Sequence, residues 1–317
     1  MVKQNKPKPE LMIGGQAVIE GVLMRTPKEY AVAVRQPNGR IVVKKEKYIS
    51  STKTNKFLGL PFARGIIVLF ETLVLGYKAL SFSANKSMEE PEKDKKAGKE
   101  KVKDAKVGKS KEKQEIGPLE LGITLAISII FALALFKFLP LLIATLFKDK
   151  IGGSNLLFNL IDGISKFIIF ILYLVIISSM KDVRRVFEYH GAEHKTVYCY
   201  EAGKKLTPKN VIKESKAHPR CGTTFILVVL LLSIIFYLFI PFNMNFWLKL
   251  FIRVLFLPLI AGISYEWIRL MGKHTHSRMS RFFSAPGLLV QKLTTREPDE
   301  KQIEVAIASL KAVTGSK

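Results

Sequence analysis

Residues 190–194 read HGAEH, so two of the chain's five histidines stand four residues apart with Glu193 beside the second. On a helix, residues four apart lie on one face, and His190 and His194 can therefore bind the same metal ion through their imidazoles. The pattern H-x-x-E-H is also the inverted zincin signature, in which the histidines are ligands and the glutamate is the general base. The segment predicts a zinc site with Glu193 as the catalytic residue.

A catalytic zinc site has three protein ligands and keeps a fourth position open. The third ligand is expected from His218 or Cys221 in AHPRCGTT, or from Glu266 in ISYEWIR. Two alternatives stay open at this point. In one, His190, His194, His218 and Cys221 all bind a structural metal; in the other, the cluster is hydrogen-bonded and holds no metal.

Two additional candidates are weaker. His274 belongs to GKHTHSR, where His276 would point to the same side of an extended loop. Glu20 belongs to the glycine-rich GGQAVIEG, a candidate for the lining of the site, although its spacing matches neither phosphate-binding glycine loop. That segment is better interpreted as a turn leading into a strand.

The histidines must be positioned by a membrane domain, because the hydrophobic residues are concentrated in four long stretches near or above the roughly 20 residues of a spanning helix. Lysine and arginine accumulate on cytoplasmic loops, and the loop 181–221 holds ten of them against five Asp or Glu. We therefore expect a mainly α-helical integral membrane protein with four transmembrane helices and both termini in the cytoplasm. The apolar stretches cover residues 119–147, 156–180, 223–242 and 250–270.

The segments before the first stretch differ in composition. Residues 30–45, YAVAVRQPNGRIVVKK, alternate apolar and polar positions around QPNG, which predicts a hairpin in a small β-rich cytoplasmic unit over residues 1–56. Residues 57–85 are apolar but carry Arg64, Glu71 and Lys78 seven apart, which favours an amphipathic helix in the membrane interface over a fifth crossing. The remaining divisions are a disordered charged linker over 86–117, the membrane domain over 118–270 and a cytoplasmic segment over 271–317.

The chain is strongly basic, with a formal net charge of +24. The topology and attraction to anionic lipid headgroups account for this charge. No nucleic acid is expected, because no nucleic-acid motif accompanies the lysines. Cys199 and Cys221 fall on the reducing cytoplasmic side, so a structural disulfide is not expected.

Long motifs across nearly the whole chain, the linker excepted, resemble the YqhQ-like family of bacterial membrane proteins, a domain family of unknown function. The resemblance implies a multi-pass protein of the bacterial inner membrane, and the family is often labelled a predicted metal-dependent enzyme. The motifs that carry it are GGQAVIEGVLMR, FARG, YHGAEHKTVYCYE, HPRCGTTF, SYEWIR and APGLLVQKLTTREPDEKQIEVAIASL.

Three functions are consistent with these observations. The first is a hydrolase on the cytoplasmic face with one Zn²⁺ per chain. The second is a non-enzymatic membrane organiser with a structural metal, which binds lipid or forms a homo-oligomer. The third, a transporter, is disfavoured because the apolar stretches contain few ionisable residues. One of these, Arg253, is expected to face the interior of the helix bundle or to reach the membrane surface.

Overall fold

The computed structural model describes residues 13–88, 118–273 and 278–316. The charged linker that the sequence predicts lies almost wholly outside the described residues, and so do His274 and His276. The described chain is mainly helical with one small N-terminal sheet, which confirms the predicted fold class.

The N-terminal sheet has four antiparallel strands in sequence order, β1 (Gly14–Val18), β2 (Gly21–Arg25), β3 (Glu29–Arg35) and β4 (Ile41–Lys47). QPNG lies in the turn between β3 and β4, where Arg35 pairs with Ile41, so the predicted hairpin is confirmed. GGQAVIEGVLMR forms a second hairpin, in which Val18 pairs with Gly21 across Ile19 and Glu20. The glycine-rich segment is therefore strand and turn.

Twelve α-helices follow among the described residues, and the two longest, of 25 residues each, are apolar. The early helices are α1 (Ser51–Thr54), α2 (Ala63–Ser87), α3 (Pro118–Leu133), α4 (Leu139–Leu146), α5 (Asn155–Ser179) and α6 (Lys181–Glu201). The later helices are α7 (Pro208–Val211), α8 (Gly222–Tyr237), α9 (Phe246–Leu255), α10 (Leu257–Lys273), α11 (Arg278–Thr294) and α12 (Glu300–Thr314). A π-helical segment, Ala134–Phe138, joins α3 to α4, and a 3₁₀ turn, Lys148–Lys150, follows α4.

Within the described ranges, four helical stretches are long and apolar enough to cross a membrane, at 63–87, 126–146, 155–179 and 246–271. Three of them correspond to apolar stretches that the sequence predicts as spans. The fourth is α2, which the sequence analysis favours as an interfacial helix. The remaining predicted span contains α8, an apolar helix of only 16 residues.

One face of the sheet shares a hydrophobic core with α6 and α12. Met24 and Ala33 from the sheet, Tyr189 from α6 and Ile303 and Leu310 from α12 are all buried in this core. The strands and these two helices are therefore one packed unit, although they are distant in sequence.

The opposite face of the sheet is covered by α2. Leu75 and Ala79 of α2 pack with Val18, Leu23 and Val32 of the strands. Away from the sheet and from α10, which contacts Gly65 near the start of the helix, α2 leaves large apolar side chains exposed, so part of its apolar surface is not packed against protein. The exposed side chains are Ile66, Phe70, Leu73, Val74, Tyr77 and Leu80.

Candidate functional site

The segment HGAEH, residues 190–194, lies in the middle of α6. Its helix does not continue directly from α5, because Met180 adopts an extended conformation with φ −70° and ψ 132° and breaks the two apart. His190 and His194 lie one turn apart on α6, and their ring centroids are 4.4 Å apart. Cys221 is the residue that caps the N-terminus of α8, where its Sγ accepts from the backbone N–H of Thr223. The shared face that the helical spacing predicts is therefore present, and α8 brings the thiol to it.

Each histidine is oriented by a backbone carbonyl. Nδ1 of His190 lies 2.8 Å from the carbonyl oxygen of Thr294, and Nδ1 of His194 lies 2.6 Å from that of Lys216. A carbonyl oxygen only accepts, so Nδ1 carries the proton in both rings and Nε2 keeps a free lone pair. This is the arrangement by which proteins orient metal-binding imidazoles.

The free nitrogens converge on the thiol. Nε2 of His190 lies 3.2 Å from Sγ of Cys221, and one ligand atom from each of His190, His194 and Cys221 lies within 4.8 Å of the other two. Two imidazoles and a thiol are donors that zinc prefers. Among the described residues, these three form the group that could hold a metal ion, and a tetrahedral ion bound by them has a fourth position left.

Glu193 lies beside this group but is not part of it. Its side chain is buried, and its Oε2 has no hydrogen-bond partner within the described part of the chain. Oε1 faces β1 so closely that a Cβ added to Gly15 would lie 2.6 Å from it. Burial raises the pKa of Glu193 to about 8. A bound divalent cation would favour the ionised form, so the residue suits a site that contains a metal.

Burial also governs the other ionisable groups of the cluster. It lowers the pKa of His194, which keeps the imidazole neutral and able to bind a metal. Burial by itself would raise the pKa of Cys221, but the neighbouring His194 and hydrogen bonds from Thr223 outweigh it and lower that pKa. Both shifts favour the protonation states of metal ligands.

His218 lies near the cluster with different partners. Its ring centroid is 5.7 Å from that of His194. Its Nδ1 accepts from the backbone N–H of Arg220 at 3.3 Å, and its Nε2 lies 3.5 Å from a carboxylate oxygen of Glu201. Burial lowers the pKa of His218 to about 4. Since both ring nitrogens face protein groups, the structure does not bring His218 into the ligand group.

The additional candidates lie elsewhere. Glu266 on α10 accepts from Nε of Arg64 on α2 at 2.6 Å, so it ties these two helices together. Glu20 accepts from the Nη2 of Arg185 at 2.7 Å and from the hydroxyl of Tyr189 at 3.1 Å. The structure therefore places these two carboxylates in ion pairs and hydrogen bonds away from the cluster, and His274 lies outside the described residues.

The groups that orient the histidines leave no signal in the sequence, because they are the backbone carbonyls of Thr294 and Lys216 and any residue type can supply a carbonyl. Gly15 was not singled out, although it belongs to the segment GGQAVIEG that the sequence suggests as lining for the site. Its signal was present in the glycine pair of GGQAVIEG, since a glycine inside a strand often marks the close approach of another group.

A cavity of about 460 Å³ opens beside His190. Thr223 and Thr294 line the same part of it, and apolar side chains of α5 and α8 line the rest together with Lys137 and Lys166. The cluster is therefore next to a space that reaches into the apolar helices.

Comparisons with known proteins identify the family of the chain. The family described as "Protein of unknown function (DUF1385)" matches residues 60–316. The "Uncharacterized protein YqhQ" of Bacillus subtilis (strain 168) is 34% identical over 299 residues, which cover 93% of this chain and 90% of that protein. No solved structure matches. The chain therefore belongs to the DUF1385 family of YqhQ-like proteins.

Proposed function

We propose that this protein is a membrane-embedded, zinc-dependent hydrolase whose site faces the cytoplasm of a bacterial cell. The observation that carries the proposal is the pairing of two features in one buried site. Three convergent ligand atoms come from His190, His194 and Cys221, and beside them Glu193 Oε2 has no partner among the described residues.

In this proposal, three of the residues bind the metal and Glu193 transfers protons. His190, His194 and Cys221 would hold the metal, and the carbonyls of Thr294 and Lys216 keep both imidazoles turned toward it. When bound, Zn²⁺ supplies Lewis acidity toward water and toward the electrophile of the substrate. Glu193 Oε2 would accept a proton from the attacking water and return it to the leaving group. Gly15 makes room for this carboxylate because it has no side chain.

Metal analysis of purified protein tests the assignment. Wild type is expected to contain about one zinc per chain, since three ligands form one site. His190→Ala, His194→Ala and Cys221→Ser should lose the metal, whereas Glu193→Gln should keep it. Hydrolysis of a panel of ester, amide and phosphodiester probes should be lost in Glu193→Gln.

His218→Gln is the matched control, because His218 is a buried neighbour that points its nitrogens elsewhere. It should keep its zinc. If it loses as much zinc as His190→Ala and Glu193→Gln has no effect, the site is a closed structural one, as in a membrane organiser. A wild-type zinc content far below one per chain would refute both metal functions.

A further inference from the structure

The cavity beside His190 extends deep into the apolar helices. Thr223 and Ser233 both line it and are ten residues apart on α8, which corresponds to about 15 Å along a helix axis. Between them the lining is apolar and includes Phe170 and Leu174 of α5 and Leu230 of α8. The cavity is long enough for an apolar chain of several methylene groups.

The deep part of the cavity is lined by two lysines that are almost completely buried. Lys137 is 8% exposed and Lys166 is 3% exposed. Lys137 Nζ donates to the hydroxyl of Tyr237 at 2.9 Å, and Lys166 Nζ donates to Asp162 at 3.1 Å. Both ammonium groups also lie over the ring of Tyr237.

The charges around these lysines do not balance. Arg253 is also buried here, and it donates to Asp162 at 2.7 Å and to Asn159 at 3.1 Å. In the described part of the chain, Asp162 is the only carboxylate that pairs with any of the three cations. Lys137, Lys166 and Arg253 thus face a single acidic group, and unpaired charge among apolar helices is costly.

The backbone is irregular at the same place. Lys137 belongs to the π-helical segment Ala134–Phe138, whose neighbours α3 and α4 are regular α-helices. A single π-helical turn inside an α-helix is rare and is frequent at functional sites. Here it lies where Phe136 and Lys137 line the cavity.

We propose that this cavity binds an anionic amphiphile. The acidic group, a carboxylate or a phosphate, pairs with Lys137 and Lys166, and the apolar chain lies along Phe170, Leu174 and Leu230 toward His190. The anion would supply the negative charge that the buried cations lack. The further step, that the substrates are anionic amphiphiles whose scissile bond lies at the His190 end of the cavity, away from the acidic group, rests on the proposed hydrolase, because His190 lines the cavity and would be a metal ligand.

Equilibrium binding to the full-length protein in phosphatidylcholine nanodiscs tests the proposal. The probes are tritiated palmitate, hexadecyl phosphate and uncharged hexadecanol. The wild type should bind one or both acids and bind hexadecanol about tenfold more weakly or worse, because a charged hydrogen bond contributes a factor of this order. Comparing the two acids shows whether a carboxylate or a phosphate is preferred.

Variants locate the binding. Lys137→Met and Lys166→Met remove the charge at similar length and should each weaken acid binding about tenfold. Lys150→Met, at an exposed lysine after α4, should leave it unchanged. If the buried-lysine variants fold poorly, Val229→Phe narrows the cavity without touching a charge and should weaken binding of both acids.

Two results would overturn the proposal: hexadecanol binding as tightly as the acids, or acid binding that survives in all three cavity variants. Zinc content, measured on the same samples, separates this inference from the proposed function. If the protein contains zinc but binds neither acid, the proposed hydrolase stands and the proposed cavity ligand is refuted. If the protein binds an acid but contains no zinc, the proposed cavity ligand stands and the proposed hydrolase is refuted.

Discussion

Gly191 lies between the residues of the H-x-x-E-H pattern and allows α6 to approach the segment that leads into α12. A Cβ added there would lie 2.0 Å from the carbonyl oxygen of Arg296, whose N–H donates to the carbonyl of Phe187 at 2.9 Å. Because that backbone is held in place, Gly191→Ala should lower the free energy of unfolding by about 1–3 kcal/mol. Thermal unfolding measures this. Gly222→Ala, where a Cβ meets nothing within 4 Å, should be nearly silent, and equal losses in both variants would contradict the argument.

His218 should make stability depend on pH. Burial lowers its folded pKa to about 4 from 6.5, so below pH 6.5 the unfolded chain binds a proton that the folded chain does not. Stability should therefore be full above that pH and fall toward pH 4, by up to about 3 kcal/mol. The test is the unfolding midpoint of wild type and His218→Gln between pH 7.5 and 4.5. The wild-type curve should fall more steeply, and parallel curves would contradict the prediction.

The candidate site was predictable only where helical spacing decides it. His190 and His194 share a face because they are four residues apart. The choice between His218 and Cys221 was not predictable, because both lie in the same turn before α8. Cys221 is the N-cap of α8. The side chain of Gln291 accepts a hydrogen bond from the backbone N–H of His218 at 2.8 Å and donates one to its carbonyl at 2.9 Å.

At the scale of elements, α12 depends on the cap that starts it. Asp299 accepts from the N–H of Gln302 at 2.7 Å, and the Gln302 side chain accepts from the N–H of Asp299 at 2.9 Å. Asp299→Ala should cost about 1 kcal/mol and should speed amide exchange in the first turn of α12. Asp299→Asn is the matched control, because asparagine also caps helices well. Unchanged exchange in the alanine variant would show that packing against the sheet holds the helix without its cap.

The ion pair between Arg64 and Glu266 joins α2 to α10, and its side chains are only partly exposed. Removing one partner leaves the other charge incompletely solvated, so Arg64→Met and Glu266→Gln should each lower the unfolding temperature. The double variant should lose less than the sum, because the two losses share one interaction. Additive losses would mean that the residues act independently. The surface pair of Lys44 and Glu46, which are both at least 40% exposed, provides the control cycle and should show little coupling.

Some elements were predictable because they carry local signals, and others were not. QPNG between alternating apolar residues predicted the hairpin of β3 and β4. The break between α5 and α6 at Met180 was not predictable, because no glycine or proline stands at that position. The turn at Glu20, with φ of 51°, likewise lacks glycine at that position and is held by Arg185 and Tyr189 from α6. Such features arise from tertiary contacts that one sequence does not reveal.

At the scale of the whole molecule, the shared core constrains how the chain crosses a membrane. The sheet, α6 and α12 pack together, so they must lie on one side of it. Three apolar helical stretches are described between β4 and α6, at 63–87, 126–146 and 155–179. An even number of them must cross. The helix α2 is the one packed along the sheet, so we expect it to lie in the interface with Phe70 and Leu73 toward lipid.

The same constraint applies after α6, where α8 and the α9–α10 pair must either both cross or both stay on one side, so that α12 returns to α6. Both segments are apolar, so we expect both to cross. Single-cysteine variants test the whole arrangement with a membrane-impermeant maleimide on intact cells. Asp149→Cys and Asn243→Cys, in the connections after α4 and α8, should react from outside. Lys47→Cys, Lys204→Cys and Lys301→Cys, all exposed positions of the packed unit, should react only after the cells are opened. If α2 crossed as well as the two stretches that follow it, Lys47→Cys would react from outside while Lys204→Cys did not. The sheet and α6 would then lie on opposite sides of the membrane and could not share a core.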